Sequence, residues 1–551
     1  MVYPGDEESA VFYNPVQVQN RDLSTLMIVL YTERRRKRLA LTEKKKELRT
    51  NHVKGDDLKE QLEVYEKELN VQQLIQSDQK EKGIHVLDAL AASGLRSIRY
   101  WKEIPGVQHV TINDLDPAAV ERAHANMERN QLTDKVTTER NYGIRIQNGD
   151  ATHEMYTSRR VLGLKTPTVI ELQQAEQYDV IDLDPYGSAA PFLDGAVQAI
   201  CDGGMLNVTC TDMAALGGSH PETCYGRYGS MPIQRAKYLQ EAALRMLLKH
   251  LAETAAKYGR TIKPILSVGM NFYVRCFVEV YDDKASVNEL SLNIGSVFQS
   301  TQCSSFLTVA HGQHGKNKHV YQPTRAPIKC EETGAQFKIG GPMWLASLHN
   351  QEVVLEALKR LGSKSDAVVP DMKLIATRER LQGLLTSVSE ELHDCPLYYT
   401  LPDLCHVMNC SSPTLLQVKA GIQNAGFRVS GYHKEPQAIK TDAPNRIVWD
   451  VMRAWCKLNP PKVSKKKQKR MLARQERNGE TAESGPKEPT TGEKILAVEP
   501  SIEVDFTIPK GNNKGKVARF PMNPEKNWGP KKAASGKRKR EEGEAKQDDE
   551  K

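Results

Sequence analysis

The chain has 551 residues, 39% of them hydrophobic, and a formal net charge of +8. This length exceeds a single small domain, the apolar content excludes a mainly disordered chain, and the mild basicity points toward a polyanionic partner. No membrane-spanning helix is expected, since the longest apolar run near the start, 26–30, falls far short of the roughly 20 residues such a helix needs.

Ten cysteines without a dense framework fit buried thiols in a reducing compartment. The acidic start, 1–8, lacks the basic-then-apolar order of a signal peptide, so an intracellular protein is expected. Ordered structure is expected to begin at 11–17 and to continue as an apolar helix through Leu30. Arg34-Arg35-Arg36-Lys37-Arg38 then opens a charged stretch to about Lys82 that reads as an exposed helical insert, completing an N-terminal segment 1–82.

From residue 83 to 283 the pattern alternates. Strands are expected at 85–87, 109–112, 178–183, 205–210, 265–268 and 273–281, and helices at 95–101, 117–130, 191–200 and 233–258, with Asp150 following an irregular loop. That order predicts an α/β fold, a doubly wound Rossmann-like sheet with mostly parallel strands. A second, α+β domain is expected over 284–459. Its helices at 379–392, 401–408 and 414–425, with the turn 409–413 and the following 426–429, form a helix-turn-helix; such a pair presents a basic face to nucleic acid or serves packing alone. The tail, 460–551, is polar, rich in Lys, Glu and Gly, and expected to be disordered. Its basic runs 465–470 and 537–540 fit nuclear import or RNA tethering, or a solvated tail.

The chemistry is expected where the strand 178–183 meets Asp184-Pro185-Tyr186-Gly187. Pro185 lacks an N–H and ends sheet pairing, which leaves Asp184 at the carboxyl end of a strand, where ligands of open α/β sheets sit. Three further features occupy successive strand ends: the small-residue turn 88–96, Asp114 twenty-odd residues on and placed to accept from ribose hydroxyls, and Gly149-Asp150-Ala151. Together they suit a nucleoside-containing cofactor. The G-x-G-x-x-G fingerprint is missing, so S-adenosylmethionine fits better than a nicotinamide dinucleotide.

The segments Phe12-Tyr13-Asn14-Pro15-Val16-Gln17, Asn20-Arg21-Asp22-Leu23, Leu95-Arg96-Ser97-Ile98-Arg99, Asp182-Leu183-Asp184-Pro185-Tyr186-Gly187, Thr211-Asp212-Met213-Ala214 and Gly341-Pro342-Met343-Trp344 closely resemble the tRNA guanine-26 N2-dimethyltransferase family. The resemblance implies a class I methyltransferase domain, a family-specific C-terminal domain that binds tRNA, and S-adenosylmethionine as cofactor. It also implies cofactor contacts at Arg21, Arg96, Asp114, Asp150 and Ala151. Arg21 or Arg96 would pair with the methionine carboxylate, Asp114 would hold the ribose, and Asp150 with the Ala151 backbone would hold the adenine.

For catalysis, Asp184 and the Pro185 carbonyl are expected to orient the guanine amine and accept its hydrogens, with Tyr186 stacking on a flipped base. Asp182 is a weaker candidate. The loop 211–229, with Asp212, Tyr225, Arg227 and Tyr228, reads as an RNA clamp or a plain surface loop. Where the family often has paired Cys-x-x-Cys knuckles, each knuckle here keeps one cysteine, Cys303 and Cys330. Two thiolates do not close a tetrahedral site, and His311, His314 and His319 lack the spacing to complete it, so no metal is expected.

The expected partner is tRNA, with no membrane and no obligate protein partner, and the expected location is the nucleus, with cytoplasm or mitochondrion as alternatives. Two rivals remain. A DNA or rRNA amino-methyltransferase is disfavoured by the single proline of the turn, and a non-catalytic RNA-binding or chaperone protein on the same fold by the presence of Asp114, Asp150 and Asp184 together.

Overall fold

The computed structural model describes residues 17–77, 79–139, 142–159, 177–270, 272–316, 321–362, 375–460, 488–509 and 517–521. The stretch 11–16, His319 and both basic runs of the tail lie outside the described residues.

Seven strands form one sheet: β1 (Ile84–Asp88), β2 (Val107–Asp114), β3 (Gly143–Asn148), β4 (Tyr178–Leu183), β5 (Ile200–Cys210), β6 (Arg260–Met270) and β7 (Tyr273–Asp282), in the order β3-β2-β1-β4-β5-β7-β6. The pairings among β1 to β5 are parallel, and β7 runs antiparallel to both β5 and β6. The doubly wound expectation holds. The irregular loop expected before Asp150 contains the edge strand β3, whose pattern alternates too weakly to stand out. The expected helix at 233–258 begins only at Leu239.

The first helix, α1 (Gln17–Thr50), corrects the reading of the arginine run as an exposed insert. Residues Leu23, Leu26, Ile28 and Tyr31 are fully buried against the sheet, and the helix continues straight through the arginines. Arg34 pairs with Glu279 at 2.7 Å, Arg35 with Asp179 at 2.6 Å, and Arg38 donates to the Tyr281 hydroxyl at 2.7 Å. These partners line the end of the sheet remote from the strand carboxyl termini. The run is basic because acids at that end await it. The following helix Gly55–Glu68, which buries no residue, does behave as an exposed insert.

Beyond β7 a three-stranded antiparallel sheet sets Ile294–Ser300 between Phe337–Trp344 and Phe306–Ala310. The apolar clusters of the large sheet run across position 283. One takes in Ile294, Val297, Met343 and Trp344, and the other takes in Val353, Val354 and Leu361 from a helix, Gln351–Gly362, that periodicity alone did not reveal.

A third cluster centres on Trp449 and contains the helix-turn-helix, Leu401–Met408 and Leu415–Asn424, followed by the hairpin Val429–Tyr432 and Glu435–Thr441. The second helix starts with a capping box between Thr414 and Gln417. Part of the tail departs from the expectation of disorder. Residues 490–496 form a capped turn of helix with Ile495 fully buried, and 501–508 alternate exposed and half-buried residues, with Ile502, Val504 and Phe506 on the third cluster.

Candidate active site

The strand order reverses between β1 and β4, so the crevice outside their carboxyl ends is the topological switch point. Asp184 stands there, one residue past β4, with its side chain 20% exposed. Its Oδ2 accepts a short bond from the Arg96 guanidinium, while Oδ1 has no donor among the described residues. Pro185 is buried, and Tyr186 projects with 84% exposure. Gly187, at φ +91°, makes the turn and is clamped to the end of β5. Its N–H donates to Thr211 Oγ1 at 2.8 Å, and the Thr211 N–H donates to the Gly187 carbonyl at 2.9 Å.

Under this turn lies a buried charge network. Asp182 is fully buried and receives both Arg275 terminal nitrogens, at 3.0 and 2.7 Å, and the Tyr100 hydroxyl at 2.5 Å. Burial alone would raise its carboxyl, but the guanidiniums of Arg275 and Arg96 outweigh burial and hold it at about 2. Asp182 is therefore held as a buried anion by this network. Asp88, its neighbour across β1 and β4, has no guanidinium bonded to it. Burial first, and the Asp182 charge second, push its carboxyl up to about 7. Ser24, on α1, accepts from Arg96 at 3.0 Å and from Arg275 at 2.8 Å, joining helix, sheet and turn.

Arg275, Ser24 and Tyr100 were not expected. The available signal was Arg275 itself, a charge inside the apolar run Tyr273–Asp282, which a buried strand tolerates only beside a counter-ion.

The expected cofactor residues line the same crevice. Asp114 ends β2, its Oδ2 accepting from the Ala92 N–H at 2.7 Å and its Oδ1 from the Asp116 N–H at 2.9 Å, which fixes the carboxylate at the mouth with lone pairs to spare. Asp150 caps the helix Ala151–Thr157 by accepting from the Thr152 N–H. Ala151 is buried and its N–H, first in the helix, has no intrahelical acceptor. Asn113 donates to the Ala89 and Gly149 carbonyls at 2.9 and 3.0 Å, tying both turns to β2. A diol acceptor, an amine acceptor and an unspent N–H are the donor set an adenosine requires, so the crevice fits S-adenosylmethionine. Arg21 lies half-buried in the first turns of α1, and its charge, like that of Asp184, acts on Tyr273. Arg96 is only 7% exposed and already bonds Asp184 and Ser24, so of the two arginines expected near the methionine carboxylate, Arg21 is the more accessible.

The loop 211–229 is not irregular. It holds the short helices Met213–Leu216 and Pro221–Tyr228. Asp212 pairs with Arg227, Tyr228 is buried with its hydroxyl 2.6 Å from Ser188, and Tyr225 stays 59% exposed. The Gly341-Pro342-Met343-Trp344 segment docks the continuation of this loop. Met231 and Gly341 exchange backbone bonds at 2.8 Å, Ser230 donates to the Pro342 carbonyl, and a Cβ on Gly340 would lie 2.6 Å from Ile233.

Cys303 and Cys330 do come together, their sulfurs 3.7 Å apart, with Phe306 and Thr333 at the remaining knuckle positions. His311 bonds Ser296, and His314 pairs with the Tyr321 ring. A buried trio, His349, Glu391 and His433, lies close enough to hold an ion. The hydrogen bonds argue otherwise. His433 Nε2 accepts from the Gly269 N–H at 2.9 Å and His349 Nδ1 from the Ser267 N–H at 3.3 Å, so each ring spends a lone pair on β6 and turns its other nitrogen toward Glu391. The trio fastens the C-terminal hairpin to the sheet edge.

The second helix of the helix-turn-helix meets the tail at its C-terminal end. Asn424, at the end of the second helix, donates to the carbonyls of Asp505 and Thr507, and Val504 faces Gly421. The strap 501–508 packs on that end of the helix, while Leu416 near its start stays 54% exposed.

A parallel sheet closed by a reversed hairpin, with acids at the ends of β2, β3 and β4 converging on one switch point, defines a class I methyltransferase. The family model for N2,N2-dimethylguanosine tRNA methyltransferase matches residues 5–453, and the chain belongs to that family. The tRNA (guanine(26)-N(2))-dimethyltransferase of Mus musculus is 38% identical over 97% of this chain and 75% of its own length. The tRNA (guanine(26)-N(2))-dimethyltransferase 2 of Arabidopsis thaliana is 39% identical over 81% and 68%. The mitochondrial enzyme of Saccharomyces cerevisiae is 32% identical over 95% and 89%. The solved structure of Trm1 from Pyrococcus horikoshii with S-adenosyl-L-methionine shares the fold, with a TM-score of 0.59 at 24% identity over 82% of this chain and 96% of that one. Family membership carries the cofactor and the reaction expected from the sequence, S-adenosylmethionine-dependent N2-dimethylation of guanine 26 in tRNA. No helix among the described residues is long and apolar enough to cross a membrane.

Proposed function

We propose that Asp184 is the group that receives the guanine amine, and that Arg21, Asp114, Asp150 and Ala151 hold the cofactor. One observation carries this: at the switch point a single carboxylate is fixed through Oδ2 by a buried guanidinium while its Oδ1 is left without a donor. S-adenosylmethionine supplies the electrophilic methyl of its sulfonium. The N2 lone pair of guanine is delocalised into the ring and becomes available only if the amine is turned and its hydrogen accepted as the new bond forms.

Asp184 Oδ1 accepts one N–H, and the Pro185 carbonyl stands beside it for the other. The methyl–nitrogen bond forms as the methyl–sulfur bond breaks, and the amine proton leaves toward Asp184 and solvent. The monomethylated amine keeps one N–H, so the same oxygen accepts again for the second transfer. The dimethylated amine has none and loses its anchor. Tyr186, exposed at the rim, offers a ring face to a base flipped from its helix.

Tritiated methyl transfer to unmodified tRNA, wild type beside Asp184→Asn, with nucleoside analysis of the product, tests this reading. Label appears in N2-methylated guanosine and falls about 100-fold or more in the variant, with S-adenosylmethionine affinity retained. A variant within tenfold of wild type removes Asp184 from the chemistry. The nuclear assignment rests on the basic runs 465–470 and 537–540; a fluorescently tagged chain that stays nuclear without them overturns that basis.

A further inference from the structure

The strap 501–508, on the C-terminal end of the second helix, carries the exposed acids Glu503 and Asp505, which disfavour phosphate there. The opposite end of the same helix-turn-helix differs. There the first helix, Leu401–Met408, points its N-terminus into a notch of about 180 Å³ between the segment 232–238 and the strand Phe337–Trp344.

Arg235, Lys237 and Lys338 line this notch beside the hydroxyls of Ser300, Thr301 and Thr400. All three cations are exposed. Arg235 and Lys338 have no ion-pair partner among the described residues, and Lys237 reaches Asp403 only at 3.7 Å. Asp403 is the one acid of the lining, and it is engaged by the Ser304 hydroxyl at 2.5 Å.

The segment is held in place by packing. Ile233 is seated against Gly340, where no side chain larger than hydrogen fits, and the buried Tyr238 closes its other end. Between them Arg235 adopts φ +61°, a left-handed conformation that costs an arginine roughly 1 kcal/mol or more and persists only where surrounding structure imposes it. The imposed conformation projects a guanidinium that has no ion-pair partner among the described residues. The same stretch of chain begins at Thr211, which clamps the turn carrying Asp184.

We propose that this notch is a seat for the sugar–phosphate backbone of the tRNA, with Arg235 and Lys338 as its phosphate contacts. Arginine matches a phosphate with paired N–H groups, and the lysines act as point charges beside it. The inference rests on tRNA being the substrate, but its test reads binding and not methylation.

The test compares wild type, Arg235→Gln, Lys338→Glu and the double variant as full chains, with Lys59→Ala on the remote helix Gly55–Glu68 as control. The affinity for unmodified tRNA is measured across salt concentrations, with the Kd for S-adenosylmethionine and kcat at saturating tRNA beside it. Each notch variant weakens tRNA binding and lowers the slope of log affinity against log salt by about one unit. The Kd for S-adenosylmethionine, kcat and the control stay unchanged. A double variant with wild-type affinity and slope overturns the proposal, as does a loss of affinity with no change in slope. If Arg235→Gln does not fold, Lys338→Glu, on an exposed strand position, decides alone. Wild type that binds tRNA through the notch yet transfers no methyl would refute the proposed function and leave the notch standing.

Discussion

Replacing Arg275 with methionine should destabilise the methyltransferase sheet, and more so at pH 8 than at pH 5. The guanidinium is fully buried, makes two bonds to Asp182, and also donates to Ser24 and Thr209. The displacement of the Asp182 carboxyl from 3.8 to about 2 is worth roughly 2 kcal/mol in favour of its charged form, net of the desolvation that opposes it. Removing one partner of a buried pair costs about 3–5 kcal/mol, because the remaining charge stays buried without compensation. For a domain of this size that is a fall in Tm of roughly 6–20 °C.

The pH dependence follows from what Asp182 does next. Without Arg275 only Arg96, 3.7 Å away, and the Tyr100 hydroxyl oppose burial, which is the largest influence on this carboxyl; its folded pKa then rises above the unfolded value, and the group contributes stability that is present at low pH and lost as pH rises. The variant is therefore closer to wild type at pH 5 than at pH 8. The double variant Asp182→Leu with Arg275→Met removes both charges and should recover much of the loss, since an apolar pair of similar volume is often neutral in place of a buried ion pair. Thermal denaturation of the four proteins of this cycle at both pH values gives every term. A fall of less than 3 °C for Arg275→Met at pH 8, or a double variant no more stable than the single, would refute the account of the network.

Two further outcomes are expected. Burial pushes His349 down to about 4 against the opposing pull of Glu391, so the unfolded chain binds more protons between about pH 6.5 and pH 4 and stability falls across that window, by at most roughly 3 kcal/mol; thermal melts of His349→Gln should lack this slope, and an unchanged slope would place it elsewhere. Gly340→Ala sets a Cβ 2.6 Å from Ile233 and should cost about 1–3 kcal/mol while loosening 231–238 to limited proteolysis, whereas Gly362→Ala, with open space around it, should be neutral.

The sequence by itself determined the parts of this protein that depend on neighbours in the chain. The strand 178–183 and its Asp-Pro-Tyr-Gly stop are local: an apolar β-branched run followed by a residue that cannot donate to a ladder. Asp114 was legible for the same reason, ending a strand at readable spacing, whereas Asp150 was legible only from its Gly-Asp-Ala turn, since the strand before it did not stand out. The helix-turn-helix followed from a turn, a cap and two short periodic runs.

What crosses the chain was decided only by the tertiary structure. A run of five basic residues looks solvated until Glu279, from a strand more than two hundred residues away, and Asp179 are placed beneath it. Asp182 and Asp184 differ by two positions and by nothing in their local pattern. One is a buried counter-ion and the other an open acceptor, because Arg275 arrives from β7 beneath the first and Arg96 from the helix Leu95–Glu103 reaches one oxygen of the second. The strap that packs on the end of the second helix of the helix-turn-helix comes from eighty residues further on, where its apolar positions alternate too sparsely in a polar tail to mark it as structured. Charge and periodicity name candidates, but a buried charge takes its role from its partner, and distant partners meet only in the fold.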